Sequence, residues 1–160
     1  MHFSLNTITM YRLMLYFLLV LFAAAIGFST IQIFPYNPLD IALAGTFLLV
    51  VCNFANYVLA KLFGAKTNQE SASITALILT LIVGPAPFFV SIGFLTVLGI
   101  AAMASKYLVA IRKRHLFNPA AFAVLVAALL FENGATWWIG SLATFPIFVL
   151  GGLLVLIKTK

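Results

Sequence analysis

The side chains in this chain that could do chemistry are uncharged and polar, set in apolar surroundings. Ser71, Ser73 and Thr75 open one apolar segment, Asn118-Pro119 opens another, and Asn53 and Asn56 stand three residues apart in a third. That spacing puts both asparagines on one side of a helix, where an amide bonds a neighbouring membrane helix or a ligand. Asn118-Pro119 has the form of a helix start, with Asn as cap and Pro at the first helical position. Together these groups suit a joint polar pocket. Acid–base or nucleophilic catalysis is not indicated: Asp40, Glu70 and Glu132 all fall in expected loops, and no two pair by spacing. His2 and His115 have no partner histidine four residues away, so a haem or metal site is unsupported. The single cysteine, Cys52, permits neither an intramolecular disulfide nor a multi-cysteine metal or iron–sulfur site.

The elements that must position these groups are membrane helices. Of 160 residues, 64% are hydrophobic and 8% charged, with a mean hydropathy of +1.19. Soluble domains carry about a quarter charged residues, and disorder needs low hydrophobicity with high charge; both are excluded. Apolar runs predict spans at 13–33, 39–62, 72–83, 88–111, 119–131 and 137–157, within a single transmembrane domain over 1–160. The first reads as a retained span rather than a signal peptide, because further membrane segments follow it directly. The expected fold class is all-α: a polytopic integral membrane protein with about six transmembrane helices, two of them short or discontinuous. The segment 72–83 makes only about 18 Å of helix against a hydrocarbon core of about 30 Å, and 119–131 has the same deficit. Such segments are either thin, tilted spans or paired broken helices flanking a midplane binding site, where their ends offer backbone groups to a polar ligand.

Charge supplies the orientation. Arg12, Lys61, Lys66, Lys106, Arg112, Lys113, Arg114, Lys158 and Lys160 all fall on one side of a six-span arrangement, while Asp40 and Glu132 fall on the other. Positive charge marks the cytoplasmic face. The expectation is a multi-pass protein of the cytoplasmic (inner) membrane with both termini cytoplasmic. Tyr36, Trp137 and Trp138 then sit at the outer boundary, and Tyr11, Tyr57 and Tyr107 near the inner one. The net charge of +6 is thereby a topology signal. The partner it implies is the lipid bilayer, with anionic headgroups near 112–115, and not nucleic acid. Gly27, Gly93, Gly99, Gly140, Gly151 and Gly152 are small enough to permit close helix contacts.

Three stretches occur in order: Ser71-Ala72-Ser73-Ile74-Thr75-Ala76-Leu77 running to Gly84-Pro85-Ala86-Pro87, then Ser105-Lys106-Tyr107, then Phe117-Asn118-Pro119-Ala120-Ala121-Phe122. Over residues 57–130 the chain thereby resembles a family of membrane flavoproteins. That family contains the D component of Rnf-type electron-transport complexes and the B component of sodium-translocating NADH:quinone reductases. Its members have two related helical halves, and this chain matches one, as a half-length member. The resemblance implies a membrane subunit of a flavin-dependent electron-transport complex, passing electrons through bound FMN or riboflavin and coupled to ion translocation. Its partners would be other membrane subunits or a second copy of the chain. Family members attach FMN to a threonine in Ser/Thr-Gly-Ala-Thr. The corresponding run here is Asn133-Gly134-Ala135-Thr136, with Asn in the first position, so Thr136 is the implied attachment residue. Ser73, Thr75, Asn118, Asn53 and Asn56 are the candidate cofactor pocket, and Arg112, Lys113 and Arg114 would favour anionic flavin forms. Two other functions fit the same elements: a channel or transporter for small neutral solutes, and a cofactor-free scaffold subunit.

Overall fold

A computed structural model describes residues 9–108, 110–111, 114–115, 117–131 and 134–159. Its elements are α1 (Met10–Thr30), α2 (Pro38–Leu62), α3 (Gln69–Ile82), α4 (Phe88–Leu108), β1 (Ala110–Ile111), β2 (Arg114–His115), α5 (Pro119–Phe131) and α6 (Phe145–Thr159). The protein is a helical membrane protein. Helices α1, α2 and α4, of 21, 25 and 21 residues, are long and apolar enough to cross a membrane. Helices α3, α5 and α6 have 14, 13 and 15 residues, so none reaches the roughly 20 residues of an upright span.

Local chemistry explains most of the helix starts. Thr9, Asn37 and Asn68 each accept a backbone N–H through the side chain at the head of α1, α2 and α3, and Pro38 follows Asn37 at the first helical position. Asn118 does the same for α5: its Oδ1 accepts from the Ala120 N–H at 3.0 Å. Helix α4 follows Pro87 and borrows its cap from elsewhere, the Phe88 N–H donating to Asp40 Oδ1 at 3.0 Å. A carboxylate suits the positive end of a helix.

Three expectations need correcting. The acids Asp40 and Glu70 are not in loops; they occupy the first turns of α2 and α3. Helix α4 stops at Leu108 rather than 111, because the backbone turns there into an antiparallel pair with Ala110 opposite His115. The last helix begins at Phe145, eight residues later than hydropathy suggests, since 134–144 folds as an irregular segment. Glu132 and Asn133, and the side chains of 109–116, lie outside the described residues.

Helix α3 is the axis of the bundle. Its Ala72, Ala76 and Leu79 join a core with Leu48 and Cys52 of α2, Leu98 and Met103 of α4 and Ala123 of α5. On its other side, Leu77 and Leu81 join a second core with Leu21 and Ala25 of α1, Ile41 and Trp138. Close approach depends on three glycines, the first being Gly45, where a methyl group would collide with the Phe22 ring. A methyl group on Gly99 would lie 2.8 Å from Val51 Cγ1, and one on Gly151 would collide with the Phe17 ring. Gly27, Gly93 and Gly152 face open space, and Gly140 meets only the Trp137 carbonyl. Chain alternation puts the starts of α1, α3 and α5 at one end of the bundle, with the ends of α2, α4 and α6. Arg12, Lys61, Lys106 and Lys158 all belong to that end, which is the basic end of the bundle.

Candidate functional site

A helix of 14 residues leaves its terminal backbone groups at a depth where lipid cannot satisfy them. In α3 the Ser71 N–H at the start and the Thr80 and Ile82 carbonyls at the end find partners within the protein, and a cavity opens beside each end. At the C-terminal end the segment after α5 folds back as a cap. Thr136 and Trp137 both donate backbone N–H to the Ile82 carbonyl, at 2.8 and 3.1 Å, and Val83 pairs with Ala135 in an antiparallel bridge. The Trp138 indole Nε1–H donates to the Thr80 carbonyl at 3.1 Å. Trp137 adopts φ 51°, a left-handed backbone uncommon outside glycine, so the two tryptophans part. Trp137 is 67% exposed and Trp138 only 9%. The Trp138 ring meets Phe34 and Tyr36 edge-on, with centroids 5.6 and 5.3 Å away.

This cap closes one side of a cavity of about 560 Å³ between α2, α3, α4 and the Pro-rich turn. Its aromatic walls are Tyr36, Phe94, Phe131 and Trp138; Thr80, Ser91 and Thr136 are its hydroxyls, and no charged side chain lines it among the described residues. Thr136 is exposed at the rim. Its Oγ1 lies where a methyl group on Gly84 would come within 3.1 Å, so Gly84 makes the room for it. The size falls within the range of about 300–1,000 Å³ usual for small-molecule sites, and an apolar wall with a few polar groups is their usual chemistry.

The second cavity, of about 410 Å³, lies at the basic end and is lined by Tyr11, Ser71, Ile74, Thr75, Ile78, Lys106 and Phe117–Pro119. Lys106, on the last turn of α4, is 8% exposed. Its Nζ donates to both the carbonyl and the Oγ of Ser71, each at 3.1 Å. Beside it, Glu70 Oε1 accepts from Arg12 Nε at 2.9 Å. The two cavities share no lining residue.

The candidate polar residues therefore divide into groups. Thr75 and Asn118 line the cavity at the basic end and Thr136 the cavity at the other. Thr75 Oγ1 also donates back to the Ser71 carbonyl at 2.8 Å. Asn53, Ser73 and Asn56 line neither; they join helices. Asn53 Nδ2 donates to Ser73 Oγ at 3.1 Å and to the Leu49 carbonyl at 2.8 Å, tying α2 to α3. The Tyr107 hydroxyl donates to Asn56 Oδ1 at 2.8 Å, tying α2 to α4. Arg112, Lys113 and the side chain of Arg114 lie outside the described residues. Two residues stand out only in three dimensions: Lys106, one of nine basic residues with a topological reading, and Trp138, one of a pair with an interfacial reading. No group of three or more His, Cys, Asp or Glu is arranged to hold a metal among the described residues. Comparison of the chain with protein-family models, with curated proteins and with solved structures finds no match.

Proposed function

We propose that the protein is a membrane subunit of an Rnf/Nqr-like, flavin-dependent electron-transport complex, carrying FMN or riboflavin in the 560 Å³ cavity. The observation that carries this reading is the position of Thr136: an exposed hydroxyl on the rim of an aromatic-walled cavity that no charged side chain lines among the described residues. An isoalloxazine ring suits walls of Tyr36, Phe94, Phe131 and Trp138, which exclude water and offer edge and face contacts. A phosphate is costly in such a lining, and attachment through Thr136 would hold it at the exposed rim. Bound flavin would supply the redox chemistry, and the chain's part is to position it and set its surroundings. Tyr36 and Trp138 would form its wall, the latter fixed by its bond to the Thr80 carbonyl.

In this reading the basic end is cytoplasmic, the flavin is on the outer side of the cytoplasmic membrane, and other subunits or a second copy deliver and remove electrons. The separate linings of the two cavities favour a bound group over solute passage. The test is flavin retention by the denatured chain. Protein purified from a host competent for covalent flavin attachment is expected to keep yellow fluorescence in a denaturing gel, and Thr136→Val to lose it. Wild type lacking both covalent and acid-released flavin overturns the reading. Saturable flux of a neutral solute by that flavin-free protein would move it to the transporter class.

A further inference from the structure

We propose that the cavity at the basic end is a binding site for a phosphate group, with Lys106 as its charged anchor. The starting point is an uncompensated charge. Lys106 is more than nine-tenths buried, and both of its hydrogen-bond acceptors, the carbonyl and hydroxyl of Ser71, are neutral. An ammonium carries three N–H donors, so one remains for a ligand. The Glu70 carboxylate pairs with Arg12, and among the described residues no carboxylate pairs with Lys106. Burying a lone cation costs several kcal/mol, and a well-placed anion removes that cost.

The surroundings add to the positive potential. A helix start carries roughly half a positive charge, and two of them meet this cavity: α3 supplies Ser71 and Thr75, and α5 supplies Asn118 and Pro119. Lys106 thus reaches toward the end of α3 that ordinarily repels cations. Glu70, in the first turn of α3, would offset this, but its charge is met by Arg12 at 2.9 Å. The donors around the void are an ammonium, the hydroxyls of Ser71 and Tyr11, and the amide of Asn118, the Thr75 proton being held by the Ser71 carbonyl. A tetrahedral oxyanion with several acceptor oxygens uses such a spread of donors, and a void of about 410 Å³ exceeds the needs of a monatomic ion. The phosphate has two sources: a soluble phosphoester, or the headgroup of an anionic lipid, since basic pockets between membrane helices take headgroups.

The test uses the full chain in phosphatidylcholine nanodiscs and reads its thermal unfolding midpoint. One arm adds pyrophosphate against chloride at constant ionic strength; the other replaces part of the lipid with phosphatidylglycerol. A saturable rise in the midpoint is expected in one arm, which identifies the source. Lys106→Met should weaken the effect by about ten- to a hundredfold, the loss of one charge-assisted hydrogen bond. Asn118→Asp guards against misfolding of that variant, because Asp caps a helix as well as Asn while its charge repels an anion. It should keep or raise the ligand-free midpoint, since its carboxylate shares the cavity with Lys106, and lose the response. No response in either arm, or a response that Asn118→Asp leaves unchanged, overturns the proposal. The flavin reading stands or falls separately, since the two cavities share no wall.

Discussion

Helices α3 and α6 have 14 and 15 residues and both are apolar, yet one is the axis of the bundle and the other lies on its outside. Leu77 and Leu79 of α3 are completely buried, whereas Leu150, Leu156 and Ile157 of α6 are exposed. On α6, Gly151 is the buried residue, set against Phe17 of α1, whose ring meets Phe148 edge-on. Apolarity cannot separate the two, because lipid tails satisfy a leucine as well as protein does. The polar termini separate them. Asn68 serves the start of α3, and Thr136, Trp137 and Trp138 serve its end. In a membrane, carbonyls without partners cost several kcal/mol each, so a short helix belongs where partners exist. The cavities lie where those partners leave gaps.

The largest expected effect contrasts two neighbouring residues. Trp138→Ala removes a buried ring and the bond to the Thr80 carbonyl, and should cost about 3–5 kcal/mol of stability. Trp137→Ala, on an exposed ring, should change it by less than about 0.5 kcal/mol. Unfolding in detergent checks both, and equal losses would break the distinction between cap and surface. Next come the glycines. Gly99→Ala drives a methyl group into Val51 and should cost about 1–3 kcal/mol. Gly152→Ala, in open space on α6, should be neutral or stabilising by up to about 1 kcal/mol. The same unfolding measurement ranks the pair, and a reversal would mean that α6 packs more tightly than α4 does. The smallest effect is the tie between α2 and α3. A double-mutant cycle on Asn53→Ala and Ser73→Ala should give a coupling of about 0.6 kcal/mol, typical of hydrogen bonds between membrane helices. Zero coupling would mean that this bond does not help to hold α3 at the centre.

Much of this arrangement is legible in the amino-acid sequence alone. Asn118-Pro119 announces α5 to the residue, because a cap and a proline act through local geometry. The shortness of 72–83 and 119–131 is equally plain. The start of α6 is not, since Trp137–Thr144 carries no charge and runs without a break into the apolar helix that follows. Hydropathy does not distinguish a helix from a loop that lends its N–H groups to another helix. Lys106 is hidden for a different reason. Its partner Ser71 is 35 residues away, and the same side chain serves equally well as a topological signal. Asn53 and Asn56 share a helix side as their spacing implies, but spacing does not say that Ser73 and Tyr107 claim them.

The central claim concerns one hydroxyl, that of Thr136, and intact-mass spectrometry of the purified chain addresses it most directly. The expected result is the chain mass plus one flavin mononucleotide less one water, with the added mass on the proteolytic fragment that contains Thr136. A chain of unmodified mass that also releases no flavin on acid treatment would contradict it.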